Sequence, residues 1–172
     1  MLEPKTQKGF TIVELLIVII IIGILAAITI VAYGGIQQRA RNSQIITGVK
    51  AYQKALMQYA VDNQTYPIAP GTSACLGAGY VGGQCWNGVN GNRFVDATLD
   101  AALAKYLPSK PTVSTNILQI TNSPDYRVGA LLTTTPHRII YYLEGAGQTC
   151  LNAGVGTTEI QGTQCALTLA LP

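Results

Sequence analysis

From Phe10 to Tyr33 the chain is almost continuously apolar. Leu15–Tyr33 carries no charge, and Thr29 and the Tyr33 hydroxyl are its only polar side-chain groups. A helix of that length rises about 28 Å, close to the thickness of a bilayer's hydrocarbon core. Glu14 breaks the pattern one residue before the run, behind the nearly apolar Phe10-Thr11-Ile12-Val13. A carboxylate in such a segment costs up to ~2.5–3.5 kcal/mol at the helix centre and less toward an end. It therefore needs a cationic partner, and it reads as functional rather than as a snorkelling interface residue.

Beyond the run the period persists but the face changes. Ile45, Val49, Tyr52, Leu56 and Tyr59/Ala60 recur at three- and four-residue steps, while Gln38, Arg41, Gln44, Lys54 and Gln58 take other faces. This predicts one helix from Phe10 to Asp62, about 80 Å long, with an apolar first half and an amphipathic second half. Gly48 weakens it locally by about 1 kcal/mol relative to alanine. Asn63 to Asn92 reads as loop-rich, broken by Pro67, Pro70 and Gly71. Asp96 to Leu107 reads as a short helix with Asp96 as cap and Pro108 after its end. Ile117–Thr121, Tyr126–Thr134 and His137–Glu144 read as strands, the last two as an antiparallel hairpin. Gly145 to Gln164 reads as a looser loop and Ala166–Leu171 as a final strand. The sum is an α+β fold in which a long N-terminal α-helix packs its amphipathic half on a small antiparallel β-sheet head.

Composition changes this picture little. The formal net charge of +3 falls to +2 without Met1–Gly9, which holds Lys5, Lys8 and Glu3, too mild a balance to argue for nucleic acid. Lys5 and Lys8 flank one side of the run and Arg39 and Arg41 the other, so the positive-inside rule does not orient it. Four cysteines, Cys75, Cys85, Cys150 and Cys165, lack CxxC spacing, and His137 is the lone histidine, which argues against zinc. An even count in a membrane-targeted chain reads as two disulfides outside the cytoplasm. Three pairings exist; the sequence-local one, Cys75/Cys85 and Cys150/Cys165, is preferred, each bridge adding on the order of 3 kcal/mol.

No catalytic constellation is visible. Asp62, Asp96, Asp100, Asp125, Glu144 and Glu159 are scattered, without calcium-loop spacing, and there is no Walker loop or GxSxG. His137 reads as an ordinary polar residue at a strand end. Gly77-Ala78-Gly79-Tyr80-Val81-Gly82 matches GxGxxG, but with no strand expected before it, no helix after it and a cysteine on each side, it reads as a disulfide-closed surface loop. Trp86 reads as local packing. Asn63-Gln64-Thr65 fits a glycosylation sequon of the kind common by chance. No cofactor or metal is implied, and an enzyme is not expected.

Lys8-Gly9-Phe10-Thr11-Ile12-Val13-Glu14-Leu15-Leu16 resembles the cleavage and methylation signature of type IV pilins and the related pseudopilins. The likeness continues through Gly23, Ala26-Ala27-Ile28, Ala32-Tyr33 and Arg39, over roughly the first third of the chain. It implies a leader, residues 1–9, cut after Gly9 by a prepilin peptidase that also methylates the new amine of Phe10. It further implies a transmembrane and assembly helix over 10–35 and an extracellular pilin head over 36–172, together the pilin lollipop. The rival reading, an ordinary secretory signal ending near Ile24-Leu25-Ala26-Ala27, has no distinct cleavage site and leaves Glu14 unexplained. Val31 stands where the family commonly has a proline, and Gly34-Gly35 offers a substitute kink.

The resemblance leads to assembly as the mechanism. Lipid is as apolar as leucine, so helices gain little by associating inside it. Packed in a fibre without lipid, the same residues leave water at ~25 cal/mol per Å². Hydrophobic contact does not set axial register. Glu14 paired with the amine freed at Phe10 of a neighbour would, a buried ion pair serving specificity more than stability. The expected partners are further copies in a helical filament, the peptidase, the pilus assembly machinery and, before assembly, the cytoplasmic membrane. The expected role is the structural subunit of an extracellular pilus. The alternatives are a type II secretion pseudopilin, or a minor pilin with an adhesion or DNA-uptake role. For DNA, Arg93, Lys105, Lys110, Arg127 and Arg138 are too dispersed to form a basic stripe.

Overall fold

The computed structural model describes residues 9–87, 91–113, 126–127, 129–134, 136–151, 157–159 and 162–170. The chain forms two compact units, Met1–Gln37 and Gln38–Pro172. Helix α1, Ile12–Asn63, runs through both. Its hydrogen bonding continues across Gly34-Gly35, so the two glycines make no break in this helix.

In the second unit, α1 buries one stripe. Ile45, Val49, Tyr52, Ala55, Leu56 and Ala60 are each 2% exposed or less. Their spacing follows the helical repeat, so they share a face. That face packs in one cluster with alternate residues of a sheet. Among the described residues the sheet contains β1 (Ser73–Leu76), β5 (Ala130–Thr134), β6 (His137–Glu144), β7 (Thr157–Glu159) and β8 (Gly162–Thr168), in the order β1-β5-β6-β8-β7 with antiparallel neighbours. Ala130 and Leu132 of β5, Ile139, Tyr141 and Leu143 of β6, and Cys165 and Leu167 of β8 face α1. The alternation of strand side chains sends Cys75, Leu131, Ile140 and Tyr142 to the other face. There a smaller sheet, β3-β2-β4, forms from β3 (Arg93–Phe94), β2 (Gln84–Asn87) and β4 (Tyr126–Arg127), and Trp86 of β2 reaches the Tyr142 ring at 5.9 Å.

The α+β architecture is the expected one, with the β5–β6 hairpin in register from Leu131↔Ile140 to Thr134↔His137. Helix α2 is shorter than expected, Ala97–Leu103; Asp96 caps it through Thr98 N at 2.7 Å and Leu99 N at 3.3 Å. Other readings are corrected. The stretch 63–92 is not only loop: it holds β1 and β2, and β1 precedes the GxGxxG-like loop. That loop ends in a 3₁₀ turn, Val81–Gly83, and β2 rather than a helix follows it. The stretch read as one strand, Tyr126–Thr134, is two strands in different sheets. The last strand begins at Gly162, four residues early, and β7 lies within the expected loop. The strand expected at Ile117–Thr121 lies outside the described residues. Strands of two to four residues have no detectable period of their own, so long-range pairing decides them.

Candidate functional site

The first turn of α1 is built from Thr11 and Glu14. Thr11 is the N-cap, and Glu14 lies at the third helical position. The Glu14 Oε2 accepts from Thr11 N and from Thr11 Oγ1, both at 2.8 Å, and Glu14 N donates to Thr11 Oγ1 at 3.2 Å. This is a reciprocal capping box: each residue satisfies a donor that the helix start leaves open. The carboxylate also sits at the positive end of the helix dipole. Both residues are exposed, and Glu14 makes these bonds without a cation among the described residues. Sequence reasoning missed Thr11, although its signal is in the chain: the T-x-x-E spacing directly ahead of an apolar run.

Before the cap, Gly9 and Phe10 lie outside any helix or strand. Phe10 is 84% exposed, and no atom lies within 4 Å of where a Cβ on Gly9 would stand. The Gly9–Phe10 peptide is exposed. After the cap, each large apolar side chain from Leu15 to Ile28 is half exposed or more. Among the described residues one helix, α1, is long and apolar enough to cross a membrane by length and composition.

The structure joins Cys75 to Cys85 and Cys150 to Cys165, with Cα separations of 5.7 and 5.5 Å. The first bridge fastens β1 to β2, and so the small sheet to the large one. It also closes the loop that carries Tyr80. The Tyr80 hydroxyl donates to Leu76 O at 2.5 Å and accepts from Ala130 N at 3.3 Å, and burial pushes its pKa upward. Its ring leaves no space for a side chain at residue 129: a Cβ on Gly129 would fall 2.2 Å from the Tyr80 hydroxyl. The second bridge fastens the chain after β6 to β8.

The remaining candidates have structural partners. His137 opens β6 with its ring 4.6 Å from that of Tyr66. Asp62 accepts from the Tyr106 hydroxyl at 2.6 Å and from Lys105 at 3.0 Å, which hold its carboxyl below the usual range. Asp100 pairs with Lys110, and Glu144 with Arg41. Two of the five cations considered for DNA, Lys105 and Lys110, are thus committed to carboxylates. Among the described residues, no group of three or more His, Cys, Asp or Glu could hold a metal.

Residues 4–30 match the prokaryotic N-terminal methylation motif. The chain is 35% identical over 66 residues to type II secretion system core protein G of Klebsiella michiganensis, 38% of this chain and 46% of that one. It is 36% identical over 61 residues to the same component of Escherichia coli K12, 36% and 42% of the two chains. It is 35% identical over 98 residues to fimbrial protein EcpC of Eikenella corrodens, 55% of this chain and 64% of that one. The chain thus spans less than half the length of these secretion-system relatives and under two thirds of the fimbrial one. No solved structure matches it. With a methylation motif on its capped apolar helix and relatives of both the secretion and the fimbrial kind, the chain is similar to type IV pilins and the related pseudopilins over its N-terminal part.

Proposed function

We propose that this protein is the structural subunit of an extracellular type IV pilus. It is made as a membrane-anchored precursor, cut after Gly9 by a prepilin peptidase, methylated at Phe10 and polymerised by the pilus assembly machinery. It is a building block and not an enzyme. The observation that carries this is the bare half of α1: eleven large apolar residues between Leu15 and Ile28, each 50% exposed or more, headed by a carboxylate. A continuous apolar surface of this kind requires cover. Lipid supplies it before assembly, and the same helix of other copies supplies it in a fibre.

Glu14 is the register residue in this reading. Its capping box holds the carboxylate at the helix start in the single chain. The ammonium that cleavage creates at Phe10 of a neighbour then offers a charged partner in apolar surroundings, stronger than a neutral hydroxyl. Processing would thereby license assembly. A type II secretion pseudopilin is the second reading, favoured by the core protein G relatives. The fimbrial relative favours the pilus, because a 98-residue match is longer than α1 and must extend into the head.

The test uses cells in which this chain is the sole major subunit. Electron microscopy should show long surface fibres. Mass spectrometry of the sheared fibres should find a chain beginning at methylated Phe10. Short fibres confined to the cell envelope would favour the pseudopilin, and native material that begins at Met1 and stays unpolymerised would overturn both readings.

A further inference from the structure

Two apolar surfaces of the head take no part in the packing of the N-terminal helices. Among the described residues of Gln38–Pro172, the exposed large apolar side chains are Met57, Val61, Phe94 and Val95, between 39% and 59% exposed. They fall into two pairs. Met57 and Val61 lie one turn apart on α1 and line a cleft with Asp62, Lys105 and Tyr106. Phe94 and Val95 line a second cleft with Arg93 and Asp96. A single exposed apolar residue is ordinary, whereas apolar patches rimmed by polar groups are the mark of contact surfaces.

Each pair is rimmed by one cation and one anion. At the first, Lys105 and Asp62 form an exposed ion pair at 3.0 Å, and the Tyr106 hydroxyl donates to Asp62 at 2.6 Å. At the second, the order along the chain is Arg93, Phe94, Val95, Asp96: cation, two apolar residues, anion. This stretch is held in place by the fold. Arg93–Phe94 is β3, at the edge of the small sheet, Val95 N donates to Gly83 O at 2.8 Å, and Asp96 is bonded to the start of α2. The two surfaces stand at opposite ends of α2, since Asp96 caps its start and Lys105 and Tyr106 follow its end. A patch that matches itself closes a dimer. Two different patches that match each other join copies head to tail, and the line of contacts stays open.

We propose that the Phe94–Val95 surface of one copy docks on the Met57–Val61 cleft of the next, with the charges crossed so that Arg93 meets Asp62 and Asp96 meets Lys105. The contact rests on the polymer reading and adds to it a join between heads. Four half-exposed side chains fall far short of the about 1,200 Å² that a stable free complex buries. The contact therefore does not hold two free heads together. It forms where packed α1 helices already keep the heads side by side at high effective concentration. Its charges fix the direction, because the reversed pairing sets Arg93 against Lys105 and Asp96 against Asp62.

The test is photo-cross-linking in fibres of the full chain as sole major subunit, with Phe94→benzoylphenylalanine. Light should give a ladder of linked copies, and mass spectrometry should join residue 94 of one copy to the Met57–Val61 stretch of another. Val61→Asp in the same chain should lower that product about tenfold, because it buries a carboxylate without a partner. Val61 is exposed, so the variant keeps its fold. Direction is read from a mixture. A probe-bearing chain with Val61→Asp, combined with a tagged Phe94→Ser chain whose cleft is intact, should give one linked pair and no ladder. Fibres that form normally without this product, a ladder that survives Val61→Asp, or a link within one copy would overturn the proposal and leave the polymer reading in place. Chains that never polymerise would overturn both.

Discussion

Asn42 closes a two-bond ring on the main chain of Glu144. Its Nδ2 donates to Glu144 O at 2.9 Å, and its Oδ1 accepts from Glu144 N at 2.8 Å. A helix side chain here imitates the pairing of a neighbouring strand at the end of β6. Gln38 Nε2 adds a third bond to the same carbonyl at 2.6 Å, and Arg41 grips the Glu144 carboxylate through Nε and Nη2. One turn of α1 therefore pins one strand end through polar contacts, where the apolar stripe of the helix has not yet begun.

Asn42→Ala should lower stability by about 2–3 kcal/mol, since it deletes two hydrogen bonds and leaves buried main-chain groups short of partners. Ser43→Ala, one residue on and exposed, should stay within about 0.5 kcal/mol. Urea midpoints of the two variants measure the difference, and equal midpoints would remove the ring from the account of the fold.

Gly48→Ala should destabilise the head even though alanine is the better helix former. A Cβ on Gly48 would stand 2.5 Å from Val113 Cγ1 and 3.3 Å from Pro111 Cβ. Valine is stiff at χ1 and Val113 is fully buried, so the clash is not easily relieved. Overpacking of ~1–3 kcal/mol outweighs a propensity gain of ~1 kcal/mol. A raised midpoint in a denaturant titration would show that the contact yields.

Glu14→Gln separates the two roles of Glu14. Glutamine keeps an acceptor for Thr11 N, so the capping box survives, but the charge is gone. The variant should insert in membranes with unchanged helix content and yield few fibres as the sole subunit. Glu14→Ala, which loses both roles, should do no better. Full fibre yield from Glu14→Gln would reduce the carboxylate to a helix cap.

The head should lose stability in alkali. Burial pushes the Tyr52 phenol up to about 12, against about 10 in an unfolded chain. Above pH 10 the unfolded chain releases this proton first, so the folded state holds more protons and stability falls as pH rises toward 12. The slope is about 1.4 kcal/mol per pH unit for one such group, and Tyr80 adds to it in the same direction. Urea midpoints at pH 9, 10 and 11 should decline, and Tyr52→Phe should flatten the decline. An unchanged slope in that variant would clear Tyr52.

What the sequence alone determined is what short-range physics controls. An apolar run of membrane length, a carboxylate at its head, a helical stripe from Ile45 to Ala60, a β-branched hairpin before Glu144 and an aspartate capping α2 each carry their signal within a few residues of chain. The T-x-x-E box of Thr11 and Glu14 is equally local, although the reading of the sequence passed over it. Tertiary structure decided the rest. Strands as short as Arg93–Phe94 exist because a partner distant in sequence pairs with them, and the division of Tyr126–Thr134 between two sheets depends on which partner each half meets. Of three possible cysteine pairings the sequence-local one was preferred, and the fold brings Cys75 to Cys85 and Cys150 to Cys165. Gly48 read as a weakness until Val113 filled its place, and Arg138 read as one of several scattered cations until strand register set it between two threonines. Periodicity reports which face of an element is buried; which residue lies against it is a matter of contacts that no local pattern encodes.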